Sequence, residues 1–135
     1  MKCISIILWL LCSCVKKDEI PTASFRVQLG QEPLILGSLR QELIDRVISK
    51  HLVEIAQCYN TQVLKDPTLQ KRIFVKFVIT KEGNLSRERD FVIAPRYSAL
   101  HGCLEDIFRG MTFPKREKGI VITEYTLHFT NDKQK

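Results

Sequence analysis

Arg72-Ile73-Phe74-Val75-Lys76-Phe77-Val78-Ile79-Thr80 is the stretch on which the reading of the fold turns. Ile73, Val75, Phe77 and Ile79 alternate with Phe74, Lys76, Val78 and Thr80, and a period of two puts the sets on opposite faces of a strand. Lys81-Glu82-Gly83-Asn84 follows as a tight turn, with Gly83 free to take positive φ. Residues Leu85 to Ala94, charged at first and apolar from Phe91 to Ile93, then return as the second arm of a hairpin.

On either side of the hairpin the period changes. Leu43, Ile44, Val47, Ile48, Leu52, Ile55, Ala56 and Tyr59 recur at spacings of three and four, which predicts one amphipathic helix from about Leu39 to about Leu64. Ser38 followed by Gln41 reads as its capping box, and Pro67 ends it. Leu100, Cys103, Leu104, Ile107, Phe108 and Met111 mark a second helix over Tyr97 to Met111, with Gly110 placed for a left-handed cap. Val121, Thr123, Tyr125, Leu127 and Phe129 then share one face of a closing strand. The order helix, strand, strand, helix, strand predicts an α+β fold: a three-stranded antiparallel sheet packed against two helices. Phe25, Val27 and Leu29 alternate as an extra N-terminal strand, and Leu34-Ile35-Leu36 forms a short extended piece after a turn at Gly30-Gln31-Glu32-Pro33.

The N-terminus has a different character. Lys2 precedes an apolar run, Ile4 to Cys12, too short for the roughly 20 residues of a membrane-spanning helix and fitting the core of a secretory signal. Leu11-Cys12-Ser13-Cys14 looks like a bacterial lipobox, with Cys12 where a smaller residue is usual. The resemblance implies cleavage before Cys14 and a lipid, diacylglycerol with palmitate-type acyl chains, on that thiol. The expected division is residues 1–13 as lipoprotein signal, 14–33 as a tether with a short strand, and 34–135 as the domain. Localisation follows: the bacterial envelope, facing the periplasm, held to a membrane by the lipid.

Composition narrows the function. The chain has 135 residues, 44% apolar and 27% charged, which suits one compact domain and argues against wholesale disorder. Its net charge of +6 would admit nucleic acid as a partner, but an exported chain without aromatics interleaved among its bases points away from it. Arg87, Arg89, Lys115, Arg116 and Lys118 form a basic patch suited to peptidoglycan stems, lipid headgroups or an acidic protein face, or else simply a solvated strand and loop.

Of the five cysteines, Cys3 and Cys12 leave with the signal and Cys14 takes the lipid, so Cys58 and Cys103 remain. In an oxidising compartment that pair reads most simply as a disulfide; two free buried thiols, or a reactive or metal-bound thiol, are the alternatives. His51 lies seven residues before Cys58, about 10 Å of helical rise, too far for a Cys–His nucleophile. No CxxC, HExxH, GxSxG or phosphate-cradling glycine loop is present. Hence no catalytic residue, metal ligand or cofactor is assigned, and an enzyme is not expected.

Several strings, taken together, resemble the AgmX/PglI C-terminal domain family, gliding-motility relatives of the TonB C-terminal domain. They are Leu36-Gly37-Ser38-Leu39, Glu42 to His51, Gln57-Cys58-Tyr59-Asn60, Asp66-Pro67-Thr68-Leu69, Val75 to Ile79, Gly102-Cys103-Leu104, Phe113-Pro114 and Tyr125 to Phe129. The likeness covers about residues 34 to 129. It implies a TonB-like fold in which Cys58 and Cys103 are the family's paired cysteines. Lys71 stands where that family has Gly, Met111 where it has Trp, and Thr126 where it has Pro. The resemblance implies binding rather than energy transduction, since no segment reads as a transducer's membrane helix. The expected site is the edge of the last strand, with Ile120, Ile122, Glu124, Thr126 and His128 selecting an extended peptide, unless Phe25 to Leu29 already covers that edge. A structural lipoprotein contacting peptidoglycan is the first rival, and a thiol redox protein using Cys58 and Cys103 the second.

Overall fold

A computed structural model describes residues 25–87 and 90–131. The expected signal, most of the tether, Cys14 and Arg89 lie outside the described residues. Among the described residues the elements are β1 (Phe25–Leu29), β2 (Leu34–Leu36), α1 (Gln41–Ser49), α2 (Leu52–Lys65), β3 (Arg72–Ile79), β4 (Val92–Ala94), α3 (Ser98–Arg109) and β5 (Val121–Asn131). The class is α+β, as the pattern predicts.

The sheet corrects the expected three strands to five. Its order is β1-β5-β3-β4, with β2 also paired to β5, and every pairing is antiparallel. The eleven residues of β5 make it long enough to carry β1 against Leu127–Asn131 and β2 against Ile122–Glu124, one after the other on the same side. Gly30 joins them, its N–H donating to the Thr126 carbonyl at 2.8 Å. The folded unit therefore begins by Phe25, inside the segment expected to be tether.

The expected single first helix is two. Lys50 N–H donates to Val47 O at 3.2 Å and His51 N–H to Ile48 O at 2.9 Å, so the ladder tightens and ends before α2 begins. The apolar stripe runs through the break, with Ile44 and Ile48 buried before it and Ile55, Cys58 and Tyr59 after. The capping box is not formed: Arg40 is the residue before α1, and Gln41 Nε2 instead donates to Asp45 Oδ2 at 3.3 Å. Gly110 closes α3 in a right-handed conformation at φ −83°, not left-handed.

The hairpin after β3 also differs. Gly83 has φ +95°, and a Cβ there would stand 2.2 Å from the Phe113 carbonyl oxygen, so the turn requires glycine. Leu85 bridges Ile79 and Ser86 N–H donates to Val78 O at 2.9 Å. Only Val92–Ala94 returns to pair with Phe74–Lys76. Arg109 Nη1 caps the detour by donating to Ser86 O at 2.7 Å.

Both predicted strand faces are observed. Ile73, Val75, Phe77 and Ile79 of β3, and Val121, Thr123, Tyr125, Leu127 and Phe129 of β5, are buried beneath the helices. Phe77 lies at the centre, with ring centroids 5.1 Å from Phe108 and 6.1 Å from Phe113. Tyr59 stacks on Phe129 at 4.0 Å and meets the Phe25 ring edge-on at 5.0 Å, which ties α2 to β1 and β5. Fully burying side chains of this size contributes roughly 1.5–3 kcal/mol each, and the buried Ile, Leu and Val residues around the aromatic column contribute on the same scale.

Candidate interaction site

Cys58 and Cys103 are joined, with Cα atoms 5.9 Å apart, and the bond pins α2 to α3. A shallow groove of about 580 Å³ lies over it, lined by His51, Glu54, Thr61, Asp106 and Ile107 among others. His51 Nδ1 and Glu54 Oε1 are 2.8 Å apart, so the imidazole is engaged along its own helix. Cys58 itself is buried beneath the groove.

The strand edge expected to recognise a peptide is not an edge. β5 has β3 on one side and β1 with β2 on the other, so its backbone groups are engaged within the sheet. Of the two alternatives read from the sequence, cover by Phe25–Leu29 is the one observed. Ile122, Glu124, Thr126 and His128 point instead to the face of the sheet away from the helices, and exposed Ile120 lies just ahead of them. That face has no helix packed on it among the described residues. Leu34, Leu36, Phe74 and Val92 stand on it at 52%, 54%, 39% and 40% exposure. Lys76 and Glu124 face each other across the register, and Arg72 stands opposite His128.

The outer side of β4 pairs with no further strand among the described residues, although Ile93 itself is only 2% exposed. Phe91 O accepts from His101 Nε2 at 3.0 Å, so by strand alternation Ile93 also turns its N–H and C=O away from β3. Beside it is a cavity of about 310 Å³ lined by Phe91, Val92, Ile93, Arg96, Tyr97, Ser98 and His101. Sequence reading missed this site because the charged half of the hairpin was expected to stay in the sheet, which would have made β4 longer and the cavity shallower.

The expected basic patch is divided. Arg116 Nη2 points at the carbonyls of Ile79, Thr80 and Gly119 at 3.3–3.4 Å, and its backbone N–H donates to Lys81 O at 2.9 Å. Its guanidinium therefore fastens the loop to the β3 turn rather than facing a partner. Lys115, Lys118 and Arg87 are exposed, and Lys81, unmarked in the sequence, joins the first two through that turn.

Two tyrosines are held neutral. Burial, and then the proximity of Tyr97, pushes Tyr59 up to about 12, and its hydroxyl donates to Leu69 O at 3.2 Å. Tyr125 is raised further, by burial and then by the Asp45 carboxylate, to which its hydroxyl donates at 2.5 Å. On exposed Asp66, hydrogen bonds from Thr68 Oγ1 and N–H lower the pKa. No group of three or more His, Cys, Asp or Glu side chains converges among the described residues, and no helix there is long and apolar enough to cross a membrane.

Fold and site define a small disulfide-clamped α+β domain with a cavity beside its terminal strand β4 and an open sheet face. No family model, curated protein or solved structure matches this chain.

Proposed function

We propose that the protein is a non-enzymatic, lipid-anchored interaction module of the bacterial envelope, facing the periplasm and akin to TonB-type and gliding-motility C-terminal domains. The observation that carries the reading is the apolar cavity beside β4, the strand that ends the sheet, with Arg96, Ser98 and His101 on its wall. An extended segment of an envelope protein docks along β4 with a side chain in the cavity, and its backbone reaches the outward N–H and C=O of Ile93, buried in the free protein, as the side chains over them move aside. The Cys58–Cys103 bond supports an oxidising compartment, and lipid at Cys14 supplies the membrane hold. The helix-strand-strand-helix-strand order embedded between β2 and β5, with α1 and α2 counted as one broken helix, supports the TonB-like kinship.

A photo-crosslinker at Arg96 in the envelope-resident protein tests this. The expected product is one envelope polypeptide joined through an extended segment, lost in Ile93→Pro, which removes the outward N–H. A crosslinker at Val53, on the solvent side of α2, gives no such product. Equal capture from both positions refutes the edge. Mass measurement of the peptide carrying Cys14 tests the anchor separately.

A further inference from the structure

A sheet covered by helices on one face ordinarily alternates apolar and polar residues, so that its other face is solvated. Here it is not. Along β2, β3, β4 and β5 the outward positions include Leu34, Leu36, Phe74, Val92 and Ile122. Leu36, Ile122 and Val78 make one apolar row and Phe74 with Ala94 another, and the row between them, Leu34–Glu124–Lys76–Val92, is apolar at its ends and charged at its centre. Four strands at ~4.8 Å and three rows of side chains make a mixed face of about 400 Å², with its apolar residues on either side of the Lys76–Glu124 pair. It is also about half of the ~800 Å² per partner that a stable pair of copies buries, and its bases would face themselves in such a pair.

The charges choose among occupants. Besides Arg26, which has a partner of its own, strand residues pointing to this face carry two bases, Arg72 and Lys76, with His128, against one acid, Glu124, which stands opposite Lys76. Lys71 and Arg72 line a further groove of about 770 Å³ with Phe74, Pro95 and His128 at the β1 end. The chain enters the sheet at that same end, where Phe25 pairs with Asn131. Cys14 and Phe25 are separated by eleven residue steps, a span of at most ~38 Å.

We propose that the open sheet face lies against the anionic headgroup surface of the membrane. The apolar rows enter the interfacial layer and Arg72 and Lys76 meet lipid phosphates. The apolar and charge arguments stand on the sheet alone; the argument from span rests on lipidation at Cys14 as proposed above. In this orientation the helices and their disulfide face the periplasm, and β4 stands at the side, open to a peptide.

The test uses the full chain with Trp9→Phe, carrying a single tryptophan at Val92→Trp or Leu34→Trp on the open face, or Val53→Trp on α2. Each is placed on vesicles containing phosphatidylglycerol brominated near the glycerol end. The expected result is strong quenching at Val92→Trp and Leu34→Trp and none at Val53→Trp, which is 71% exposed on the opposite side as Val. Arg72→Glu with Lys76→Glu, or phosphatidylcholine alone, weakens that quenching about tenfold. Equal quenching at Val53→Trp, none at either open-face position, or indifference to headgroup charge overturns the proposal. A protein crosslinked through Val92 in place of lipid quenching overturns it too and gives the face to that protein. The mass of the Cys14 peptide is read on the same sample, so a bare thiol refutes lipidation while the vesicle comparison still judges the face.

Discussion

Removing the Cys58–Cys103 bond is the perturbation whose effect can be worked most directly. The bond closes 45 residues of sequence, which include α2 from Cys58 on, all of β3 and β4, and half of α3. Releasing that loop returns to the unfolded chain about 13 cal/mol/K of entropy, or roughly 4 kcal/mol at 25 °C. Spread over the residues described here, at about 2.1 cal/mol/K each, that lowers the melting temperature by about 18 °C. Cys58→Ala, Cys103→Ala and the double variant should lose nearly the same amount, because either single change removes the whole cross-link. Urea denaturation followed by far-UV circular dichroism measures it, and m should rise as the uncross-linked chain expands. Loss below about 1 kcal/mol in the double variant, or single losses that add, would refute the reasoning. So would a folded protein whose Cys58 and Cys103 both react at once with a thiol reagent before any reductant is added.

Three further outcomes follow from the interior. Tyr125→Phe removes a 2.5 Å hydrogen bond to half-buried Asp45 and should lower unfolding free energy by about 1.5 kcal/mol, the low end for a bond to a charged group because water still reaches the carboxylate. Gly83→Ala should lose more than about 3 kcal/mol from φ strain and collision with Phe113 O, whereas Gly102→Ala, with nothing within 4 Å, should gain roughly 0.5–1 kcal/mol in the same urea assay. In alkali, Tyr59 is raised above its unfolded value of 10, so its contribution is whole below pH 10 and is lost as pH climbs through about 12. Absorbance of phenolate at 295 nm should therefore rise together with loss of secondary structure in that window; ionisation of Tyr59 in a chain still folded would contradict it.

What the sequence made legible is what period alone encodes. Strict alternation in β3 and β5 predicted both buried faces, and Cys58 and Cys103 were paired by elimination and by resemblance. The break between α1 and α2 was invisible because Ile48 and Ile55 are seven residues apart, which keeps the stripe in phase whether or not Lys50 and His51 are helical. The capping box failed for a related reason: Ser38 and Gln41 have the spacing, but the chain is still extended at Arg40, with ψ 147°. Arg116 read as a surface base because nothing local announces that its head will reach carbonyls 36 and 37 residues away. The missed β4 site has the same origin, since where a strand stops pairing depends on its neighbours across the sheet.

The residues chosen as edge selectors were correctly placed on one face and wrongly placed at an edge, and the distinction changes what they can recognise. At an edge, backbone groups bond a partner directionally, and alternate side chains only grade it. On β5 those groups are already shared with β1, β2 and β3, so Ile122, Glu124, Thr126 and His128 act through side chains alone. Apolar burial and charge are both non-directional, and a surface that uses them tolerates a partner with no fixed sequence or register. On the proposed reading β4 has the opposite character: a cavity of limited volume, and beneath it the buried outward N–H and C=O of Ile93, would demand a strand in register. If both proposals hold, one sheet separates adhesion from recognition, and the long β5, by taking β1 and β2 side by side with β3, is what keeps the two apart.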